Sequence, residues 1–270
     1  MGESSPAEED NPWLLLLHAA GFGRGSWDPV LERIPGFVRA LAIDLPGHGD
    51  VPGVAYDREV VPRLADYVGA RIAELGLRRP HVVGHSLGGA VAFELARRAP
   101  VAAVTTFCST GFRSAVRARA CSVRIRTTMF VASGLGTRGR ERMLDRPVFR
   151  RMMMSPLSAR PSSLGAEVVA GDVAGMVGSD LVALSRYGGG YAVRGLDRLA
   201  TTPVNLVWAD QDRVVPLSDS ARARQRIPQA VHMVIPGSGH LVMRDDPGGT
   251  AAIVLACHAR LMRGDRWRGA

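Results

Sequence analysis

Short apolar runs alternate with amphipathic stretches along most of this chain. Continuous apolar runs have the length of strands buried on both faces of a parallel sheet. They cover residues 13–17, 38–45, 81–85, 101–108, 204–208 and 231–235. Apolar positions at helical spacing mark residues 56–77, the stretch after residue 86, and residues 218–226 and 250–263. Strands and helices that alternate in this way imply right-handed crossovers. The pattern therefore predicts an α/β fold with a mostly parallel, doubly wound sheet.

The alternation stops between residues 111 and 200. That segment holds most of the methionines, many arginines and several helix-like stretches, and it contains no clear strand. An insertion at the carboxyl ends of sheet strands is where a cover over a binding site is expected. We therefore expect residues 13–110 and 201–270 to form the core and residues 111–200 to form a helical lid. Residues 1–12 are acidic and turn-forming, which predicts a disordered tail.

Composition narrows the class of protein. A chain of 270 residues that is 46% hydrophobic can bury a full core, and one domain with an insertion fits better than two domains. The formal charge is +9, and every one of the 34 basic residues is arginine. The arginines are scattered, with no aromatic-interleaved or finger-like pattern, so we expect no nucleic-acid partner. Attraction to an acidic substrate or partner stays open.

Cysteine usage and the N-terminus indicate the compartment. Cys108, Cys121 and Cys257 are widely spaced without metal-like pairing, so we expect reduced thiols, no metal and no cofactor. The N-terminal residues lack a basic region ahead of an apolar one, unlike a secretion signal. The run WLLLLHAA is too short to cross a membrane. These features predict a cytoplasmic protein without a membrane span.

The stretch HVVGHSLGG, residues 81–89, joins a strand to a helix with only Ser86 at the corner. Such a corner requires a strained backbone and projects the serine side chain outward. Gly84 and Gly88 remove side chains where the strand and the helix approach each other most closely. The N–H of Leu87 is left free in the first helical turn, where an oxyanion would be stabilised. The pattern predicts a nucleophilic serine.

A serine hydroxyl becomes a good nucleophile when a base takes its proton and a carboxylate orients that base. His240 lies in PGSGHLV, a glycine-containing loop just after a strand, while the other six histidines have plainer roles in strands, turns and the last helix. Two carboxylates follow a buried strand in WADQDRVVP. Asp212 lies further into this loop and is favoured as the acid, whereas Asp210 could cap the turn.

An oxyanion hole needs two backbone donors. Leu87 supplies one, and the glycine-rich loop after the first strand supplies the second most naturally from Ala20, since Gly21 lets the chain pass close to a substrate. Methionine often lines permissive apolar pockets, although it fills core gaps more often. The side chains that we expect to contact substrate are His85, Phe22, Met152 and Met153.

Five segments, in this order, resemble the α/β-hydrolase fold superfamily: HAAGFGRGSW, DLPGHG, GHSLGG, WADQDRVVP and GSGHLV. The similarity spans residues 13–110 and 203–263 and leaves the insertion unmatched. The resemblance implies one nucleophile, one base, one acid and two backbone oxyanion donors, which are Ser86, His240, Asp212, Ala20 and Leu87, respectively.

The chain departs from the family pattern at two places. Many members read His-Gly in the first loop, where this chain has His18 followed by Ala19. This difference bears on the geometry of the loop and on the choice of Ala20. Members also usually begin with an antiparallel hairpin, and only about a dozen residues precede Trp13. We therefore expect the sheet to lack that hairpin.

The resemblance and the residues together predict a serine hydrolase that cleaves a small-molecule carboxylic ester, lactone or thioester through an acyl-enzyme. The text AVAFELARR also resembles thioesterases that serve acyl carriers, so a thioesterase or cyclase with an acidic acyl-carrier protein as partner is an alternative. A non-hydrolytic ligand-binding member of the fold is another, because fold does not dictate function. An epoxide or haloalkane hydrolase would need a carboxylate in place of Ser86.

Overall fold

The structure is a computed structural model that describes residues 12–134, 136–188, 191–195, 199 and 201–264. Apart from Pro12, the predicted acidic tail lies outside the described residues. The stretch before residue 12, in which an N-terminal hairpin would lie, is outside them as well.

The described residues form one parallel sheet of six strands. The strands are β1 (Leu14–Leu17), β2 (Ala40–Ile43), β3 (His81–His85), β4 (Ala103–Phe107), β5 (Val204–Ala209) and β6 (Val231–Ile235). Their order across the sheet is β2-β1-β3-β4-β5-β6, and every pair of neighbours is parallel. The register sets Leu17 beside Gly84 and Gly84 beside Thr106, so β1, β3 and β4 end at one edge of the sheet. The predicted parallel sheet is confirmed.

Helices connect these strands. In chain order they are α1 (Asp28–Leu31), α2 (Val60–Glu74), α3 (Leu87–Arg98), α4 (Ala115–Gly134), α5 (Gly136–Leu144), α6 (Pro147–Met154), α7 (Ala166–Gly178), α8 (Leu181–Tyr187), α9 (Ser220–Arg226), α10 (Val242–Asp245) and α11 (Pro247–Met262). Short 3-10 turns at Arg24–Trp27 and Leu217–Asp219 precede α1 and α9.

Both faces of the sheet are covered by helices. On one face, Leu64 of α2 and Val91 of α3 are buried in a cluster with Trp208 of β5. On the other face, Val254 of α11 shares a second cluster with Phe107 of β4. Burial of apolar surface on both faces is the main stabilising contribution expected for such a sheet. The prediction of a doubly wound fold is therefore confirmed.

The helix α2 is shorter than the periodicity predicts. Apolar spacing predicts residues 56–77, whereas α2 runs over Val60–Glu74. At its start, the Asp57 side chain accepts a hydrogen bond from the Glu59 N–H at 2.8 Å, which holds the chain in a turn. At its end, Gly76 has a φ of +63°, a left-handed conformation that stops a helix.

The segment between β4 and β5 is helical where it is described. Its helices α4 to α8 surround an apolar cluster that includes Met129, Leu144, Met154 and Val173 and that extends to Leu241 of the core. We call residues 111–200 the insertion. Its assignment as a lid stays a prediction.

The described residues contain no single helix that is long and apolar enough to span a membrane. Helices α7 and α8 meet those criteria only when taken together, and they bend by 65° at the break between them.

Candidate active site

The corner between β3 and α3 has the strained geometry that its glycines suggest. Ser86 has φ +52° and ψ −109°, a region that non-glycine residues seldom adopt. A Cβ on Gly88 would overlap the carbonyl oxygen of Leu17 and lie 2.7 Å from that of His18. A Cβ on Gly84 would lie 2.5 Å from the carbonyl carbon of Gly88. The close packing of β1, β3 and α3 thus depends on glycine at both positions.

The structure brings Ser86, His240 and Asp212 together at the carboxyl edge of the sheet. The Ser86 Oγ lies 3.0 Å from Nε2 of His240. The opposite ring nitrogen, Nδ1, lies 2.8 Å from Oδ2 of Asp212. The exposed fractions are 7% for Ser86, 4% for His240 and 5% for Asp212, so solvent screens these contacts little. The carboxylate can only accept, which places the ring proton on Nδ1 and leaves Nε2 free to accept the serine proton.

Backbone donors hold the Asp212 carboxylate in place. Its Oδ1 accepts hydrogen bonds from the N–H groups of Val214 and Val215 at 2.7 and 2.8 Å. Burial alone would raise the pKa of Asp212, but the charge and hydrogen bond of His240 and the two backbone donors lower it below its usual value. The group is therefore ionised and orients the imidazole.

Asp210, the other carboxylate considered from the sequence, has a different position. It is exposed, and its Oδ1 accepts a hydrogen bond from the N–H of Ser238 at 3.3 Å. This contact ties the turn after β5 to the loop that carries His240. The structure brings Asp212, and not Asp210, into contact with the histidine ring.

The backbone N–H groups of Ala20 and Leu87 are the two oxyanion donors predicted from the sequence. Both residues line the cavity at Ser86. Within the described part of the chain, neither N–H donates to a protein acceptor. Two free donors beside a serine hydroxyl can bind a developing oxyanion.

Two buried histidines shape the loop on either side of Ala20. Nε2 of His48 accepts the Gly21 N–H at 2.9 Å, while Nδ1 of His18 donates to the Ala19 carbonyl at 2.8 Å. Burial lowers the pKa of His18 to about 3 and lowers that of His48 below its usual value. Both rings are neutral, as an accepting nitrogen must be. Sequence reasoning missed these roles, and the only signal for them is a histidine in each of two neighbouring loops.

His85 does not contact the cavity, which corrects its prediction as a substrate contact. Its Nε2–H donates to the backbone carbonyl of His240 at 2.8 Å, and the two rings lie 4.9 Å apart. Burial, followed by the nearby charge of His240, lowers the pKa of His85 to about 3. The side chain therefore holds the loop that carries His240 and does not line the cavity.

Cys108 lies beside the pair formed by Asp212 and His240. One donor atom from each of these three residues falls within 4.8 Å of the other two, a spacing that a metal ion could use. Burial, with the neighbouring Asp212 charge, raises the pKa of the Cys108 thiol well above its usual range. A metal needs the thiolate, and the other two groups already bond each other, so these residues fit a metal poorly. The thiol instead stays protonated beside the Asp212 carboxylate.

An apolar cavity of about 160 Å³ opens at Ser86. Both the core and the insertion line it, chiefly through Phe22, Ile125, Met129, Met153, Met176 and Leu181. The structure thus brings the predicted contacts Phe22 and Met153 to the site. Met152 is 58% exposed and lies outside the cavity lining, because successive helical residues point about 100° apart and Met153 and Met154 turn inward instead. Met152 therefore does not contact this cavity.

Comparisons with known proteins agree with this architecture. A model of the alpha/beta hydrolase family matches residues 14–253. The epoxide hydrolase EphH of Mycobacterium tuberculosis is 33% identical over 202 residues, which is 71% of this chain and 91% of that protein. The dihydrolipoyllysine-residue acetyltransferase component of the acetoin cleaving system of Pseudomonas putida is 25% identical over 250 residues, 86% of this chain. This chain covers only 59% of the length of that relative.

Solved structures show the same fold at low sequence identity. An esterase from Exiguobacterium antarcticum superimposes with a TM-score of 0.71 and 14% identity, covering 92% of each chain. Agreement at this level of identity concerns the fold.

Proposed function

This chain belongs to the alpha/beta hydrolase family, and we propose that it is a serine hydrolase that cleaves a carboxylic ester, lactone or thioester through an acyl-enzyme. The observation that carries the proposal is the continuous hydrogen-bonded chain from Ser86 Oγ through His240 to Asp212, with distances of 3.0 and 2.8 Å. Nucleophile, base and orienting carboxylate are then in the order that acyl transfer requires.

Acylation begins when Ser86 Oγ attacks the substrate carbonyl carbon. His240 Nε2 takes the hydroxyl proton as the new C–O bond forms, and the ionised Asp212 stabilises the resulting imidazolium. The carbonyl oxygen becomes an oxyanion that accepts from the N–H groups of Ala20 and Leu87. Its collapse breaks the bond to the leaving alcohol or thiol, which receives the proton from His240.

Deacylation repeats these steps with water as the nucleophile. His240 accepts a proton from the water, whose oxygen attacks the acyl carbon, and then returns that proton to Ser86 Oγ. The products are the free carboxylic acid and the regenerated enzyme. The Cys108 thiol lies beside the Asp212 carboxylate, which already accepts hydrogen bonds from Val214, Val215 and His240.

Ester hydrolysis is favoured over epoxide hydrolysis even though one relative is named an epoxide hydrolase. Opening an epoxide through a covalent intermediate needs a carboxylate nucleophile at the corner, and this chain has Ser86 there. The apolar lining of the cavity supports an acyl or alcohol portion that is largely hydrocarbon. We also propose that the insertion acts as the lid, since Met153, Met176 and Leu181 line the cavity that opens at Ser86.

The proposal is tested by steady-state hydrolysis of 4-nitrophenyl butyrate. Ser86→Ala is expected to lower kcat/KM by about 10⁴-fold or more, because it removes the nucleophile. Ser109→Ala is the matched control: it removes another buried serine hydroxyl near α3 and is expected to keep the rate within about threefold of wild type. Equal activity in the wild type and Ser86→Ala would contradict the proposal.

A carrier-bound thioester is the second candidate substrate, favoured by the basic surface of the insertion. The arginines at positions 138, 142, 146 and 151 are exposed on and around α5 and α6. Such a surface attracts an acidic carrier protein at a rate that depends on salt. Butyryl-carrier should then react faster than butyryl-pantetheine, with an advantage that 0.5 M salt removes. Equal rates with both thioesters would contradict a carrier partner.

A further inference from the structure

Two nitrogens of the half-buried Arg113 guanidinium have no hydrogen-bond acceptor in the described part of the chain. Its Nε and Nη2 atoms are inaccessible to solvent, and neither has a hydrogen-bond partner in the described part of the chain. Leaving buried N–H groups of a cation without an acceptor costs free energy, because burial removes water from these atoms and nothing replaces it. Native structures contain few buried polar groups without a hydrogen-bond partner, and a missing ligand is one explanation for such a group.

Arg113 lines the same cavity as the Ser86 hydroxyl. It follows Thr110, whose N–H donates to the Ser86 carbonyl at 3.2 Å, so the arginine is anchored close to the nucleophile. The cavity is otherwise apolar apart from a few hydroxyl groups, a thiol and His240, and no described residue of its lining is a carboxylate. A ligand with a negative group would therefore meet its one complementary charge at Arg113.

Two carboxylates of the insertion are bonded to the core, although Oδ2 of Asp172 is buried without a hydrogen-bond partner in the described residues. Asp172 of α7 accepts from Arg244 at 2.8 Å, and Asp180 before α8 accepts from the Tyr56 hydroxyl at 2.5 Å. Both bonds fasten the insertion to the core. Neither carboxylate lines the cavity that contains Arg113, so an acceptor inside that cavity has to come from outside the described part of the chain.

The two nitrogens also define the shape of that acceptor. Nε and Nη2 lie on one edge of the guanidinium and direct two parallel N–H bonds, which match the two oxygens of a carboxylate. We infer that Arg113 selects substrates that carry a carboxylate in addition to the ester or thioester bond. This inference rests on the proposed function and gives it a substrate class: the half-esters of dicarboxylic acids, or esters whose leaving alcohol bears an acid.

The experiment compares charged substrates with neutral ones of the same shape. For a carboxylate on the acyl side, the pair is 4-nitrophenyl hydrogen glutarate and 4-nitrophenyl 5-methylhexanoate. For a carboxylate on the leaving side, the pair is 4-(butyryloxy)benzoate and 4-isopropylphenyl butyrate. For each pair, the ratio of kcat/KM for the charged substrate to kcat/KM for the neutral one is measured. The pair whose ratio changes when Arg113 is replaced shows whether the carboxylate belongs on the acyl side or on the leaving-group side of the substrate.

The wild type, Arg113→Gln and Arg113→Lys are measured beside Arg119→Gln, which removes an exposed arginine from the same helix region. For one charged substrate, Arg113→Gln is expected to lower kcat/KM by about ten- to a hundredfold, the usual effect of losing a charge-assisted hydrogen bond. Its neutral partner should change by less than about threefold. Arg113→Lys should fall between, since it keeps the charge and loses the paired donors. Arg119→Gln should behave as wild type.

The outcomes separate this inference from the proposed function. If the neutral esters are hydrolysed and Arg113→Gln keeps the wild-type ratio for both pairs, the inference is wrong while the hydrolase proposal stands. If no ester is hydrolysed, the proposed function fails, and calorimetric binding of glutarate decides the inference alone. Binding that weakens about tenfold or more in Arg113→Gln supports it, and equal binding overturns it.

Discussion

The sheet core and the insertion bury their apolar side chains to different extents. All four leucines of β1 are fully buried, whereas the insertion exposes much of its apolar surface. Its exposed side chains include Phe130 at 81%, Val116 at 77% and Val148 at 66%. Most of the large apolar side chains that face solvent in the described residues belong to this segment. A large exposed apolar surface often marks a site of interaction.

Many polar contacts and one apolar cluster join the two regions. In addition to the Arg244–Asp172 and Tyr56–Asp180 bonds, Asp245 of α10 accepts from the Ser158 hydroxyl at 2.5 Å and from the Ala159 N–H at 2.9 Å. The proposed catalytic residues belong to the core, and the insertion supplies most of the residues that line the cavity. Changes in the core are expected to alter catalysis or stability strongly, and changes in the insertion to alter mainly substrate choice.

The largest effect expected from the core is on catalysis. Asp212→Asn should lower kcat by about 10⁴-fold, because a neutral amide neither orients His240 nor stabilises its cation. Asp210→Asn, two residues away and exposed, should keep kcat within about threefold. Hydrolysis of 4-nitrophenyl butyrate measures both. Comparable losses in the two variants would show that the site is not assembled around Asp212.

Substitutions at two glycines, one in the core and one in the insertion, test how differently the two regions are packed. Gly88→Ala should destabilise the protein by about 3 kcal/mol or more, since its Cβ would overlap the Leu17 carbonyl oxygen. Gly171→Ala, in an exposed turn of α7 with nothing within 4 Å of the new Cβ, should be neutral or stabilise by up to about 1 kcal/mol. Urea unfolding followed by circular dichroism measures both. A tolerated Gly88→Ala would contradict the close approach of β1 and α3.

The pH dependence of stability also belongs to the core, since all seven histidines lie outside residues 111–200. Burial lowers the pKa of His18, His81 and His85 from 6.5 to about 3. The unfolded chain binds these protons below pH 6.5 and the folded protein does not, so stability is full above pH 6.5 and falls as the pH drops toward 3. Each histidine contributes a slope of up to about 1.4 kcal/mol per pH unit.

Urea unfolding between pH 7 and pH 4.5 measures this slope. His81→Gln should reduce it by the contribution of one histidine, about 1.4 kcal/mol per pH unit at most. A free energy of unfolding that does not change over this range would mean that these rings are protonated or accessible in the folded protein.

Much of the sheet and the corner at Ser86 could be predicted from sequence, for a physical reason. Strands buried on both faces must be continuous apolar runs, and a strand-to-helix corner without room for side chains must carry glycine. Both requirements concern residues that are close together in the chain, so both can be recognised in the sequence itself. The ends of α2 were less predictable, because the turn at Asp57 depends on a side-chain hydrogen bond instead of on periodicity.

Roles that depend on partners distant in the chain could not be predicted. His48 lies in a turn, and its bond to the Gly21 N–H exists only because two loops meet. His85 precedes the serine, but the fold directs its ring under His240. In the insertion, the difference between Met152 and Met153 depends on how α6 is rotated against the core. The charge of Arg113 is visible in the sequence, but its lack of a partner is not.

The central claim is that Ser86 is a nucleophile activated by His240. Incubation with a fluorophosphonate probe followed by peptide mass spectrometry tests it directly, because the probe forms a covalent adduct with an activated serine. We expect one adduct per chain, located on Ser86, and strongly slowed labelling in His240→Ala. An unlabelled Ser86 in the folded wild type, or labelling at the same rate in His240→Ala, would contradict the account.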